Sequence, residues 1–283
     1  MMKQSLKRRD FFTDKQIKFQ VYGVKIGVKA ERASYLEKVF PLLKKTYTNG
    51  LETVNEEDVE FHFYIKRVKG KGYALYRNDE VMTENPLREI FFDAVESQIR
   101  VTIAEFASSK VFLHAGVVSW KGRAIIFPGR SYAGKTTLVA ELVKNGALYY
   151  SDEYAVLNEE GCVEPFPKWL SMRGIIDRHT QLDCSVESLG GRAGTDAIPV
   201  DMVLIAEYDA QKKTPKAWHS RRLSVGQGIM EILPHTFPIR NKPKFVLEVL
   251  NKLATRAIIV KTVRGEAKKF AVTLLNYFEY QMD

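Results

Sequence analysis

Between residues 58 and 66 apolar and polar positions alternate without a break. Val59, Phe61, Phe63 and Ile65 fall on one face and Glu60, His62, Tyr64 and Lys66 on the other, the pattern of a strand with one buried face. His62 is therefore expected in solvent. Residues 17–28 also read as strand, interrupted by glycines. Residues 31–45 place Leu36, Val39, Phe40, Leu42 and Leu43 on one helical face, which Pro41 should kink or restart. Lys69-Gly70-Lys71-Gly72 predicts a turn between strands. Asn85-Pro86 predicts a helix start, a capping side chain followed by proline at the first helical position, with the helix running to about residue 108. These elements predict a small α+β lobe over residues 1–108. By itself it proposes no chemistry: it can present a substrate, cover a ligand or only pack against a second lobe.

From residue 109 to residue 283 the pattern changes to an α/β domain with α+β character. Residues 111–120 and 123–127 are two apolar runs around Lys121-Gly122 and predict a hairpin. A helix is expected over residues 136–145, closed by Gly146. Strands are expected at 147–150, 154–157 and 162–164, with a turn at 158–161. Residues 177–195 are polar and contain glycines, which predicts a mobile loop. Residues 201–207 suit a buried strand, and helices at 244–254 and 266–281 bracket a strand at 257–263.

Between the second hairpin strand and its helix, residues 129–136 read Gly-Arg-Ser-Tyr-Ala-Gly-Lys-Thr. This is a complete G-x-x-x-x-G-K-[ST] phosphate-binding loop in the strand–loop–helix context the motif requires. Gly129 and Gly134 let the backbone turn tightly and converge its N–H groups on one point, and the helix N-terminus adds partial positive charge. Lys135 can reach the outer phosphates of ATP. The Thr136 hydroxyl can join the shell of a Mg²⁺ ion whose other ligands are water, phosphate or carboxylate. Ser131, Tyr132, Ala133 and Thr137 complete the predicted nucleotide-binding segment, and Arg130 can add positive potential or point to solvent.

Phosphoryl transfer also needs a carboxylate near the metal and an acceptor for the attacking hydroxyl's proton. Asp152 and Glu153 stand at the end of the strand that comes after the helix. The pair permits a division of labour, Glu153 with Thr136 on the metal and Asp152 as base. His114, in the strand before the loop, can orient Asp152; a histidine in an apolar strand is equally at home as a hydrogen-bonded core residue. Arg173 is a candidate phosphate contact, with Arg221, Arg222 and Arg240 as rivals.

The formal net charge of +9 favours an anionic partner, without choosing among nucleotide, acidic peptide, nucleic acid and membrane surface. No paired helicase motif accompanies the loop, so a nucleic-acid ATPase is disfavoured. Cys162 and Cys184 form no metal-ligand spacing and no disulfide framework. No apolar run approaches a membrane span, and no apolar core of a signal peptide comes after the basic start. A cytoplasmic location is the expectation. The oligomeric state is left open by these patterns.

Leu113-His114-Ala115-Gly116-Val117, the hairpin, the 129–136 loop, Gly146 and Ser151-Asp152-Glu153 together resemble the catalytic domain of HPr kinase/phosphorylase, a bacterial serine kinase whose fold is related to phosphoenolpyruvate carboxykinase. The resemblance is specific over residues 111–175. It implies a P-loop domain of that type and a serine hydroxyl on a peptide or small protein as acceptor. It also implies that His114 and Asp152 match the family's catalytic histidine and aspartate, and Lys135 and Thr136 its phosphate and metal ligands. Glu153 stands where the family has a second aspartate. The segment associated with phosphorolysis is not recognisable after residue 190, so the reverse reaction and the family's hexamer are not carried over. Relatives from ribosomal-peptide clusters, among them kinases that phosphorylate the C-terminal serine of lasso-peptide precursors, are similar in their short first lobe, in Leu-His-Ala, in the loop and in a stretch like Pro167–Arg173. Two other readings compete: a nucleotide-gated regulatory or binding protein that transfers no phosphate, and a kinase of a small metabolite.

Overall fold

The structure, a computed structural model, describes residues 12–13, 15–47, 50–130, 133–173, 181–211 and 219–282. Ser131, Tyr132 and the first four residues of the polar stretch 177–195 lie outside the described residues. The chain divides into two compact units, Met1–Ser109 and Lys110–Asp283.

The first unit carries one sheet with strands in chain order: β1 (Phe12–Thr13), β2 (Gln16–Val21), β3 (Val24–Ala30), β4 (Phe61–Val68), β5 (Gly72–Arg77) and β6 (Glu80–Asn85). Neighbours are antiparallel except β3 and β4, which are joined across α1 (Ala33–Thr46) as a parallel pair requires. In β4, Phe63 and Ile65 are buried while His62 and Tyr64 are exposed, as the alternation predicts. The helix α1 differs from its expectation: it runs through Pro41 without restarting. Leu36, Val39, Phe40 and Leu43 are all buried, and that apolar face holds the helix together. The proline forgoes one intrahelical hydrogen bond, on a turn whose Glu37 is exposed to water. The second helix, α2 (Arg88–Phe106), begins two residues beyond Pro86. Asn85 still acts as a cap of the turn, its Oδ1 accepting from the Leu87 N–H at 2.8 Å, but its backbone belongs to β6.

The second unit is built on a sheet ordered β11 (Cys162–Glu164), β10 (Tyr154–Leu157), β7 (Val111–Trp120), β8 (Arg123–Pro128), β14 (Ile198–Tyr208), β17 (Ile258–Arg264) and β15 (Arg221–Arg222). The sheet folds back on itself, because β11 also pairs with the start of β14. Two short strands, β9 (Leu148–Ser151) and β16 (Thr236–Phe237), pair with opposite halves of β7. A separate ribbon joins β12 (Leu170–Arg173) to β13 (Gln181–Cys184), so the polar stretch expected as loop contributes a strand. The three strands β8, β14 and β17 are parallel.

Both faces of this sheet are covered. One core gathers Leu113, Ala115, Val117, Ala124, Ile126 and Val203 with residues of α4 (Val225–Ile232) and α5 (Pro243–Arg256). The other gathers Val118, Ile125, Phe127, Met202, Leu204 and Val260 with residues of α3 (Lys135–Lys144) and α6 (Ala267–Met282). Burial on two sides explains why β7 and β8 read as continuous apolar runs rather than alternating ones.

The approach of α3 to β7 is set at Gly116. A Cβ there would lie 2.7 Å from Val139 Cγ2, inside any normal contact, so a side chain would push the helix off the sheet. Gly116→Ala should lower the urea unfolding free energy by about 1–3 kcal/mol, and adding Val139→Ala should recover part of that loss. Equal stability of Gly116→Ala and wild type would refute this packing.

Candidate functional site

The 129–136 segment starts where β8 ends. The Gly129 N–H donates to the His114 carbonyl at 3.3 Å, and Ala133 N–H donates to the Arg130 carbonyl at 3.3 Å. Gly134 closes the turn at φ 75°, immediately before α3, in the left-handed region that favours glycine. A Cβ at this position would also stand 2.4 Å from Arg264 Nη2. No side chain caps the start of α3, so its first N–H groups face outward with the positive end of the helix dipole. Lys135 arches back over the turn and donates from Nζ to the carbonyls of Gly129 at 2.8 Å and Arg130 at 2.9 Å. Burial lowers the Lys135 pKa, opposed by the charges of Glu153 and Asp152. Arg130 and Thr137 are exposed and Thr136 is half-buried.

Behind the turn lies a buried cation that no motif in the sequence announces. Arg264, the last residue of β17, is buried. Its Nη2 donates to the carbonyls of Gly134 at 3.0 Å and Ala133 at 3.3 Å, and its Nη1 to that of Gly265 at 3.1 Å. An arginine closing a strand was the available signal, but only the parallel order β8-β14-β17 brings it to the loop.

The acidic pair occupies the tight turn between β9 and β10. Ser151 Oγ fixes that turn by accepting from the N–H groups of Glu153 at 3.1 Å and Tyr154 at 3.0 Å. Asp152 is buried, and the Thr136 side chain is close enough to act on its pKa. Its Oδ2 accepts from the Ser171 N–H at 3.2 Å and its Oδ1 lies 3.2 Å from the Tyr149 hydroxyl. Burial first, and the neighbouring Glu153 charge second, raise its pKa from 3.8 to about 6, against the opposing pull of Lys168, the Ser171 N–H and Thr136. The Tyr149 hydroxyl lies 2.5 Å from the Lys168 carbonyl. A hydroxyl has one proton to donate, so the Lys168 carbonyl and Asp152 Oδ1 compete for it. Glu153 is half-buried, and its carbonyl accepts from the Ala115 N–H at 3.1 Å.

His114 pairs with Tyr154 across β7 and β10, the two rings 6.1 Å apart. On the other side of β7, Thr236 pairs with Leu113, and His235, just before it, ends a short 3-10 turn. Burial lowers the His235 pKa, and the charges of Lys135 and Arg130 lower it further, so it too belongs to the loop's surroundings. No spacing in the sequence announces His235.

Of the sequence-predicted residues, Gly129, Lys135, Thr136, His114, Asp152 and Glu153 thus converge at one end of the sheet. The Arg173 backbone closes β12, two residues after Ser171, and its side chain lies outside the described residues. Arg221 and Arg222 form the exposed strand β15, and Arg240 is exposed ahead of α5. Among the described residues no group of three His, Cys, Asp or Glu side chains forms a metal cage. The donors beside the loop, the Thr136 hydroxyl and the Asp152 and Glu153 carboxylates, are hard oxygens. They fit Mg²⁺, which is commonly held by one or two carboxylates plus phosphates and water rather than by a protein cage.

No family model matches the chain, and no curated protein matches it. Among solved structures it is similar to that of the Hpr(Ser) kinase/phosphatase from Coxiella burnetii, over 61% of this chain and 99% of that one, at 11% sequence identity and a TM-score of 0.35. The likeness is distant and carries neither residue roles nor an activity across. Among the described residues no helix is long and apolar enough to cross a membrane.

The raised Asp152 pKa carries a sign. The folded chain holds this proton up to about pH 6, whereas the ordinary carboxyl value is 3.8. The group's contribution to stability is therefore full below 3.8 and is lost as pH rises through 6. Asp152→Asn removes the cost of ionising there. Without nucleotide it should melt above wild type at pH 8, by at most about 3 kcal/mol of stability, with the advantage shrinking toward pH 4. A difference in melting temperature that does not vary with pH would contradict the assignment.

Proposed function

We propose that the chain is an ATP- and Mg²⁺-dependent kinase that phosphorylates a serine hydroxyl on a peptide or small protein. The C-terminal serine of a ribosomally made precursor of the lasso type is the first acceptor to test. One observation supports this reading above the others. A buried carboxyl of raised pKa, influenced by the threonine that ends a glycine-lysine loop, stands near the uncapped start of a helix.

In this reading the outward N–H groups at the start of α3 hold the β- and γ-phosphates. Lys135 leaves the carbonyls of Gly129 and Arg130 for phosphate oxygens. Thr136 and Glu153 hold the metal, which when bound offsets the charge of the transferring phosphoryl group. Asp152 accepts the serine proton as the serine oxygen bonds to the γ-phosphorus. The bond from that phosphorus to the bridging oxygen breaks, and ADP departs with the electron pair. A base with a pKa near 6 is well matched to neutral pH. The two acids are distinguished by environment, Asp152 buried and Glu153 half-buried beside Lys135, which is how paired carboxylates take different roles. His114, one strand pairing away, orients the acidic turn. The enzyme on this reading is cytoplasmic, with residues 109–283 as the kinase domain and residues 1–108 as a lobe that presents or covers.

The test is the intact mass of serine-bearing peptides after incubation with MgATP, where transfer appears as one phosphate step. Asp152→Asn should reduce transfer by about 100-fold or more while leaving ATP affinity largely intact, and Lys135→Ala should weaken both. Wild-type turnover in Asp152→Asn would remove the assigned base. ATP binding without any labelled acceptor would instead favour a nucleotide-gated binding protein, and labelling of free serine-like molecules in preference to peptides a metabolite kinase.

A further inference from the structure

We propose that Tyr208 is the shelf on which the nucleobase of the bound nucleotide stacks. The proposal rests on the kinase reading. Its first support is topology. In parallel sheets ligands bind outside the carboxyl ends of the strands. The phosphate loop continues from the carboxyl end of β8, and the next two parallel strands, β14 and β17, end at Tyr208 and Arg264. These two residues are direct register partners. Met202, Leu204 and Val260 precede them on the same alternating face, and all three belong to the core packed with α3 and α6. Tyr208 and Arg264 therefore emerge on the face that the loop's own helix covers.

The second support is the state of the ring. Tyr208 is 49% exposed, yet its orientation is fixed at both ends. The hydroxyl donates to Glu266 Oε1 at 2.7 Å, and the Arg264 guanidinium lies 5.2 Å from the ring centroid. A rigid aromatic surface loses little conformational entropy when a flat ligand stacks on it. That same guanidinium donates to the carbonyls of Ala133 and Gly134, so the ring stands one guanidinium away from the phosphate loop.

The third support is charge. Asp209 and Glu266 are exposed, and their charges act on the ring. Two carboxylates are poor company for phosphates and good acceptors for the exocyclic and ring N–H groups of a base. The triphosphate thus belongs at Lys135 and the base at Tyr208, with Arg264 between them.

Calorimetric titration with MgATP and with magnesium tripolyphosphate tests this, using wild type, Tyr208→Ala, Tyr208→Phe and Tyr208→Trp. Loss of the stacking surface in Tyr208→Ala should weaken ATP binding between about 5-fold and 100-fold and leave tripolyphosphate binding unchanged. The Phe and Trp variants should keep most of the ATP affinity. Unchanged ATP binding in Tyr208→Ala overturns the proposal, as does an equal loss for tripolyphosphate, which would mean that the ring only supports the loop. If wild type binds neither ligand, the kinase reading fails and this proposal falls with it. If wild type binds both and Tyr208→Ala binds them equally well, the shelf alone is wrong.

Discussion

The geometry of the site depends on a buried guanidinium behind the 129–136 segment. Arg264 is desolvated and meets backbone carbonyls rather than a carboxylate. Hydrogen bonds to a charged donor contribute about 1.5–3 kcal/mol each, enough to offset much of the burial cost only if the carbonyls stay in place. The peptide plane turns this into a functional constraint. In a trans peptide the N–H points opposite to the C=O. Holding the Ala133 and Gly134 carbonyls inward therefore aims the Gly134 and Lys135 N–H groups outward, the direction from which an anion would approach. The left-handed Gly134 and the forbidden space for a Cβ there belong to the same constraint.

The opposite wall is built by the same economy of buried polar groups. Asp152 is reached by groups from two elements, Tyr149 from β9 and the Ser171 N–H from β12, with Thr136 of α3 near enough to act on its charge. Each contact locks one element onto the acidic turn, and Ser151 Oγ locks the turn itself. A carboxyl placed this way is costly to ionise at rest. It becomes easier to ionise when cationic charge arrives beside Thr136, so the cost of burial is converted into responsiveness at one spot.

The sequence disclosed what local physics controls. Strands β7, β8, β10 and β11 were legible because two-sided burial makes apolar runs and glycine turns punctuate them. The loop was legible because glycine, lysine and threonine are each required at fixed steps along one turn. The path of α1 through Pro41 was not, since the decision belongs to the burial of Val39, Phe40 and Leu43 and not to the proline. Strand β6 was hidden because Glu80, Thr83 and Glu84 give it no apolar alternation. Arg264, His235 and Tyr208 lie far from the loop in the chain. They reach it through the tertiary fold, which no local pattern encodes.

Charge ties these parts together. Lys135, Arg130 and Arg264 crowd one short turn, and the surroundings register it: burial and the neighbouring cations lower the pKa of His235, and burial lowers that of Lys135. Asp152 and Glu153 offset part of this field from the front. A cluster so arranged is least favourable when empty of counter-charge, because Lys135 and Arg264 are desolvated and neither is closed by a full ion pair among the described contacts of the loop. A polyanion delivered to the uncapped helix start would relieve Lys135 and His235 at once. It would also raise the cost of the two carboxylates, and a hard divalent cation between phosphate and acid is the ligand that reverses that cost. The electrostatics of the loop therefore ask for both charges together, a polyphosphate and its metal, more than for either alone.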